Sequence, residues 1–274
     1  MPSVDFRLYL VTDRQQTAGR PLVSVVGRAV SAGVRAVQLR ERDLPIRELL
    51  SLALDLQREL SDMQLFINDR VDLAVALGCR GAHLRESSLP APVVRTLLQP
   101  SQLLGLSVHS IQDAVAAERH GADFVVLGPI YDTPSKREYG APLGLQVLEQ
   151  AARAVNIPIF AIGGMTASRT REVRQAGAFG VAVLSSILTV RSPPVVSTNT
   201  VSRMLTCGCR PSTCCSRVTG THSKLCGDGS TWSRSAASAF PRRSATPGSG
   251  TAATGTTAPA ARSRMPRTSA AYSV

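Results

Sequence analysis

Two stretches of this 274-residue chain carry residues whose types and spacing suit phosphate chemistry. In the first, "VLGPIYDTPSKREYG" at residues 126–140, an apolar run gives way to a proline-stiffened loop that contains Thr133, Ser135 and Lys136. Hydroxyl and ammonium groups donate strong hydrogen bonds to phosphate oxygens. The loop therefore predicts one half of a phosphate-binding site.

The second stretch combines arginines with a single carboxylate. "QLRER" at residues 38–42 supplies Arg40 and Arg42, and a later apolar run ends in Asn68 and Asp69. A lone carboxylate among arginines is typical of a Mg²⁺–diphosphate site, because magnesium usually binds through one or two carboxylates plus phosphate oxygens. Two separate anion sites predict an enzyme that joins two phosphorylated molecules or isomerises one.

The elements that must position these residues follow a repeating order. Eight short apolar runs alternate with longer amphipathic segments, which favours a parallel α/β architecture. The predicted strands are "RLYLVTD", "AVQLRE", "QLFIND", "GAHLRE", "LLGLSVH", "DFVVLG", "IPIFAIGG" and "GVAVLS".

An internal repeat narrows the architecture to one fold class. Four predicted helices end at a glycine that leads directly into a strand: Gly33, Gly78, Gly121 and Gly177. Glycine at this point supplies the left-handed residue that ends a helix. Four repeats of two strand–helix units predict a (β/α)8 TIM barrel over residues 1–190. A doubly wound open sheet is the alternative, but no glycine-rich dinucleotide turn follows the first strand.

The barrel fold places both anion sites at one mouth. Chemistry in such barrels lies on the loops at the carboxyl ends of the strands, and phosphate is often bound after strands seven and eight. Here those loops are "IGGMT" and "LSS", which are rich in glycine and hydroxyl groups.

Four motifs, "QLRER", "FINDRVDLA", "GPIYDTPSK" and "FAIGGM", together resemble the thiamine-phosphate synthase family, over about residues 7–188. The resemblance implies a transferase of thiamine biosynthesis that couples hydroxymethylpyrimidine diphosphate with thiazole phosphate and releases pyrophosphate, assisted by Mg²⁺. Two alternatives remain open: a thiazole tautomerase, which is an isomerase of the same superfamily, and a non-catalytic barrel that binds a thiamine precursor.

The same resemblance implies roles for individual residues. Arg40, Ser107 and Lys136 would be catalytic, and Asp69 would bind the metal. The pyrimidine diphosphate would contact Gln38, Arg40, Arg42, Asn68, Ser107 and Lys136. The thiazole phosphate would contact Thr133, Ser135, Gly164, Leu184 and Ser185. The wider set of substrate-binding candidates adds Leu39, Glu41 and Pro134.

Two departures from the family pattern bear on the site. Arg42 stands where the family has a lysine, which keeps the charge but changes its geometry. A family segment "HLGQxD" reads "HLRESS" here, so Ser88 replaces a second metal-binding aspartate and is a doubtful ligand. The lost carboxylate is expected to weaken metal binding.

His109 is the one candidate general base, although a hydrogen-bonded packing role is the favoured interpretation.

Residues 191–274 differ from the rest of the chain in composition. They carry eleven Lys and Arg against one acid, 28 of the 84 residues are Ser or Thr, and only eight are Val, Leu or Phe. Such a segment buries too little apolar surface to fold. We interpret it as a disordered, low-complexity basic tail or as a stretch translated out of frame, which would leave the barrel without a regular eighth helix. A nucleic-acid-binding arm is not favoured, and the spacing in "CGCRPSTCC" does not fit structural zinc.

The first 190 residues have the composition of an ordinary soluble domain, which we expect to be cytoplasmic, and the resemblance implies small phosphorylated molecules as its partners. Their net charge is only +2, and Cys79 is their single cysteine. No apolar run approaches the roughly 18 residues of a membrane span, and no secretory signal is visible. We expect no membrane association, and a homo-oligomer is left open.

Overall fold

The computed structural model describes residues 3–133 and 141–189, and within them the eight predicted strands form a closed parallel barrel. The strands follow one another in chain order, and β8 pairs with β1 to close the sheet. The predicted TIM-barrel fold is therefore confirmed. Its strands are β1 (Leu8–Val11), β2 (Ala36–Leu39), β3 (Gln64–Asn68), β4 (Gly81–Leu84), β5 (Leu103–Val108), β6 (Phe124–Leu127), β7 (Ile159–Ala161) and β8 (Gly180–Val183).

A helix follows each strand on the outside of the barrel. In α2 the buried residues Leu49, Ala53 and Leu56 form one stripe at helical spacing, and they pack against the sheet. The helices are α1 (Leu22–Ser31), α2 (Ile46–Glu59), α3 (Val71–Ala76), α4 (Ala91–Leu97), α5 (Ile111–Arg119), α6 (Gly144–Ala154), α7 (Arg169–Gln175) and α8 (Ser185–Leu188).

The four repeat glycines have the conformation that the sequence predicted. Their φ angles are 108° at Gly33, 58° at Gly78, 86° at Gly121 and 98° at Gly177. Each lies between a helix and the strand that follows it, where the chain must reverse in a left-handed turn. The repeat therefore marks the end of the barrel opposite the mouth.

The barrel interior has an aromatic floor and a polar top. Phe6, Tyr9, Phe66, Phe124 and Phe160 are almost fully buried, and the centroids of the rings in contact lie 5.2–6.0 Å apart. Because successive strand residues alternate between the two faces of a sheet, the inward position two residues beyond Phe66 is occupied by Asn68. This alternation places polar side chains above a packed floor, at the carboxyl ends of the strands.

The expectations for the tail and for the missing eighth helix lie outside the described residues. The described chain ends at Thr189, one residue after the single-turn helix α8. Among the described residues, no helix has both the length and the apolar composition needed to cross a bilayer.

Candidate active site at the carboxyl end of the barrel

A chain of hydrogen bonds joins the ends of β2 and β3. Gln38 Nε2 donates to Asn68 Oδ1 over 3.0 Å, and Asn68 Nδ2 donates to Asp69 Oδ2 over 3.1 Å. Gln38 and Asn68 are 3% and 8% exposed, so their amides are fixed by each other rather than by water. The structure thus brings together three residues that the sequence predicted for one site.

Asp69 is held in an unusual backbone conformation. Its φ angle is 60°, which non-glycine residues rarely adopt. The Asp69 N–H donates to His83 O over 2.9 Å, and its carbonyl accepts from Val71 N over 3.0 Å. Strain of this kind persists where surrounding contacts enforce it, and it is frequent at functional sites. Here it directs the carboxylate towards β4.

The Asp69 carboxylate is bound by residues of the loop after β4. Arg85 Nη2 and Nε lie 2.5 Å and 2.6 Å from Oδ2, and the Ser88 hydroxyl donates to Oδ1. Burial raises the pKa of Asp69, but the hydrogen bonds from Ser88 and Arg85 outweigh this effect, and the pKa is lowered overall. The neighbouring Arg70 does not take part in this contact, because it binds Asp72.

Arg40 is a charged residue at the mouth whose side chain has no neutralising contact among the described residues. It is partly buried, and its guanidinium makes no hydrogen bond or ion pair with any residue in 3–133 or 141–189. Burial lowers its pKa, and the neighbouring charge of Arg42 lowers it further, while Asp13 opposes the shift. A cation in this setting gains free energy when an anion binds beside it.

Two members of "QLRER" have side chains engaged elsewhere. Glu41 is buried; it accepts from Thr12 Oγ1 over 2.6 Å and from Arg14 N over 3.0 Å. Leu39 is buried in the apolar layer between the sheet and the helices. These side chains fix the loop after β2, so any contact that Leu39 makes with a substrate would come from its backbone.

Ser107 is oriented by a buried histidine. His83 Nε2 lies 3.0 Å from Ser107 Oγ, and His83 Nδ1 has no hydrogen-bond partner among the described residues. Burial lowers the pKa of His83 to about 3, so the ring is neutral at physiological pH. By contrast, His109 Nδ1 lies 2.6 Å from Gly128 O, which matches the packing role favoured for it.

The loops after β6 and β7 are in direct contact. A Cβ on Gly163 would lie 2.6 Å from Pro129 Cβ, and one on Gly164 would lie 2.9 Å from Tyr131 Cβ. Both glycines also have positive φ angles, 97° and 63°. Only glycine allows this approach, so the two loops can act on one ligand.

Helix α7 supports this pair of loops from the outside. The guanidinium of Arg169 lies over the Tyr131 ring, 4.4 Å from its centroid, and donates to Gly164 O over 2.7 Å. Tyr131 OH donates to Glu172 over 2.7 Å. Thr133 Oγ1 lies beside this junction and donates to Tyr131 O over 3.0 Å.

The remaining predicted residues of the phosphate side are placed only in part. Leu184 and Ser185 follow β8 at the start of α8, next to β7 in the barrel. Pro134, Ser135 and Lys136 lie outside the described residues, so the structure does not place them.

The donor groups around Asp69 do not match those of a resident Mg²⁺ site. Magnesium requires free oxygen lone pairs at about 2.0–2.1 Å in octahedral geometry. Both oxygens of Asp69 already accept from protein donors, and Ser88 offers a hydroxyl in place of a carboxylate. The part of the chain that the structure describes contains no group of three or more His, Cys, Asp or Glu side chains placed to hold a metal ion.

Thr12, His83 and Arg85 also form hydrogen bonds with the predicted site residues, although the sequence assigned no role to any of them. Arg85 had a signal in the sequence, because it stands where "HLGQxD" has glycine. His83 sits at an inward position of β4 by strand alternation, but its contact with Ser107 depends on the register between β4 and β5.

A family model and curated relatives identify the family. The family model described as thiamine monophosphate synthase matches residues 8–187. The thiamine-phosphate synthase of Albidiferax ferrireducens is 42% identical over 193 residues, which is 70% of this chain and 88% of that protein. The enzyme of the same name from Roseiflexus castenholzii is 40% identical over 189 residues, 68% of this chain and 82% of its own length.

A solved structure supports the same assignment. The thiamine phosphate pyrophosphorylase from Pyrococcus furiosus aligns with a TM-score of 0.64 and 30% sequence identity, and the alignment covers 73% of this chain and 93% of that one. The comparisons therefore match the described barrel along nearly its whole length.

Proposed function

Because the chain belongs to the thiamine-phosphate synthase family, we propose that it couples hydroxymethylpyrimidine diphosphate with thiazole phosphate, giving thiamine phosphate and pyrophosphate. The observation that carries the proposal is the partly buried Arg40, whose guanidinium lacks a hydrogen-bond or ion-pair partner among the described residues and which follows Gln38 by two residues; the Gln38 amide is bonded to that of Asn68. This arrangement favours a ligand that has both an anionic group and polar atoms able to form hydrogen bonds.

The reaction requires no protein nucleophile. The bond between the pyrimidine methylene carbon and the diphosphate oxygen breaks, and its electron pair leaves with pyrophosphate. The lone pair of the thiazole nitrogen then forms the new carbon–nitrogen bond, and no proton is transferred. The protein must therefore stabilise the charge that develops on the leaving group, which fixed cationic donors do most effectively. We assign this role to Arg40, with Lys136 as a second donor expected from the sequence.

Ser107 suits a role as a neutral donor to the same leaving group. A buried N–H without an acceptor is costly, so we place the proton of His83 on Nε2, from where it donates to Ser107 Oγ. The serine hydroxyl proton is then available to a diphosphate oxygen. His83 is a positioning residue in this scheme and makes no contact with substrate.

The phosphate of the thiazole substrate is assigned to the opposite side of the mouth. The loops after β6 and β7 meet at Tyr131 and Gly164, Thr133 is bonded to Tyr131 O, and α8 begins after the neighbouring strand β8. Backbone N–H groups and hydroxyls in such loops bind phosphate in many barrels. Ser135 is expected to join them.

Other sequence-based expectations stay predictions. These are a cytoplasmic location and an oligomeric state. The Mg²⁺ dependence that the resemblance implies is not adopted in the steps above, since the donor groups at Asp69 do not fit a metal ion. The relatives reported above carry the synthase name, so the tautomerase and the non-catalytic barrel gain no support.

The test is pyrophosphate release by the full chain, with each substrate omitted in turn. The proposal expects release only when both substrates are present, together with one thiamine phosphate for each pyrophosphate. Release without thiazole phosphate would indicate a hydrolase. Isomerisation of the thiazole without any pyrophosphate would indicate the tautomerase.

A further inference from the structure

The two departures from the family pattern in "HLRESS" act together on one carboxylate. Arg85 binds Asp69 Oδ2 through two nitrogens at 2.5 Å and 2.6 Å, and its own backbone N–H donates to Ser88 Oγ over 2.7 Å. The Ser88 hydroxyl in turn donates to Asp69 Oδ1. The turn after β4 therefore donates hydrogen bonds to both carboxylate oxygens of Asp69.

The charges at this point suit an anion better than a metal cation. The family pattern offers two carboxylates, which together match the charge of Mg²⁺. This chain offers one carboxylate and one guanidinium, whose charges cancel. Arg40 and Arg42 add further positive charge, and Arg85 contributes to the lowered pKa of Arg40. A divalent cation would therefore meet repulsion from three arginines and would have to displace one of them.

Arg85 retains capacity to bind a ligand while it holds Asp69. Its side chain is 38% exposed, against 22% for that of Asp69. Only Nε and Nη2 contact Asp69, and Nη1 has no hydrogen-bond partner among the described residues. Guanidinium groups bind phosphate oxygens with several donors in a fixed plane.

We propose that Arg85 occupies the position at Asp69 where the family pattern expects Mg²⁺, and that it binds the diphosphate of the pyrimidine substrate directly. The proposal rests on the proposed function for the identity of the substrate. Its consequence is that diphosphate binding, and with it the reaction, does not require a divalent metal. Asp69 then serves to orient Arg85 rather than to ligate an ion.

The test measures binding as well as turnover. Calorimetric titration of the full chain with inorganic pyrophosphate is carried out with EDTA and, separately, with Mg²⁺. We expect the wild-type protein to bind pyrophosphate in EDTA, and Arg85→Gln to weaken that binding by about tenfold or more. The matched control is Arg70→Gln, which removes the same charge from the neighbouring Asp72 pair and is expected to leave binding within about twofold.

A second variant restores the family residues at two positions where this chain departs from "HLGQxD". Arg85→Gly combined with Ser88→Asp restores both positions of the family pattern, so its pyrophosphate binding is expected to require Mg²⁺. Wild-type binding that appears only with Mg²⁺, or binding in EDTA that survives Arg85→Gln, would overturn the proposal.

Measurements of pyrophosphate release distinguish failure of the role proposed for Arg85 from failure of the proposed synthase function. Wild-type pyrophosphate release that persists in EDTA supports both. Release that requires Mg²⁺ contradicts the role proposed for Arg85 but still supports the proposed synthase function. If neither the wild type nor the double variant releases pyrophosphate under any condition, the proposed function fails, and the calorimetry still decides whether Arg85 replaces the metal at an anion site.

Discussion

At the scale of single residues, the chemistry of the mouth depends on how each charge is neutralised. Glu41 pairs with Arg14 and accepts a hydrogen bond from Thr12, and Asp69 pairs with Arg85, whereas Arg40 has no ion pair among the described residues. An unpaired guanidinium can stabilise the negative charge that develops on pyrophosphate as the carbon–oxygen bond breaks.

Replacement of Arg40 is therefore expected to affect the reaction step. Arg40→Gln should lower kcat by about 10²–10³-fold, the range found when one fixed donor to a developing oxyanion is removed. Arg40→Lys keeps the charge and should lose less. The measurement is steady-state pyrophosphate release, with Arg58→Gln on the exposed face of α2 as the control. An Arg40→Gln variant with unchanged kcat would remove Arg40 from the mechanism.

The buried His83 predicts a pH dependence of stability. Its pKa is about 3 in the folded protein and about 6.5 in the unfolded chain, so the unfolded state binds more protons between these values. Stability from this group is fully present above pH 6.5 and decreases as the pH falls towards 3. Urea unfolding at pH 7 and pH 5 should show this loss in the wild type, and a smaller one in His83→Asn.

The exposed His120 at the end of α5 provides the control for that experiment. His120→Asn should retain the wild-type difference between pH 7 and pH 5. If His83→Asn retains it as well, the pH dependence arises from another group.

Sequence reasoning at this scale found residues but not all of their partners. Gln38, Asn68 and Ser107 were predicted because the family resemblance implies them and because they stand near the carboxyl ends of predicted strands. The Asp69–Arg85 pair was missed, because the two residues come from different strands and their contact depends on a left-handed backbone at Asp69. Local patterns do not encode side-chain pairing across strands.

At the scale of elements, the loops after β6 and β7 form one unit through their glycines. Gly163→Ala would combine left-handed strain with a clash at Pro129. We expect the free energy of unfolding to fall by about 2 kcal/mol or more, from about 1 kcal/mol of conformational strain and at least as much from the clash. The variant should also raise KM for thiazole phosphate, because the loop moves away from its partner.

Gly78 provides a matched control at the opposite end of the barrel. It has a φ angle of 58°, and a Cβ there would meet no atom within 4 Å. Gly78→Ala should therefore cost only about 1 kcal/mol and leave KM unchanged. Denaturant unfolding and substrate titration measure the two effects, and equal costs for both variants would argue against close packing of the loops.

The sequence predicted every strand and the repeat glycines, because a regular alternation of apolar runs leaves few other arrangements. It did not predict the aromatic floor. Phe6 precedes the first strand, and its contact with Phe160 depends on closure of the barrel.

At the scale of the whole molecule, the chain divides by charge. Residues 1–190 have a net charge of +2, and residues 191–274 have +10. We propose residues 1–190 as the catalytic domain, since the candidate active site lies within them.

Deletion of residues 191–274 is expected to abolish retention on heparin at low salt, because a concentrated basic segment binds polyanions non-specifically. Persistent retention would place the polyanion-binding surface on the barrel.

The central claim is that this barrel transfers the pyrimidine group with loss of pyrophosphate. The most direct measurement follows thiamine phosphate and pyrophosphate together in one reaction of the full chain, for the wild type and Arg40→Gln. The account predicts one thiamine phosphate per pyrophosphate in the wild type, and an equal and large loss of both products in the variant. Pyrophosphate without thiamine phosphate, or no product from a folded wild-type protein, would contradict it.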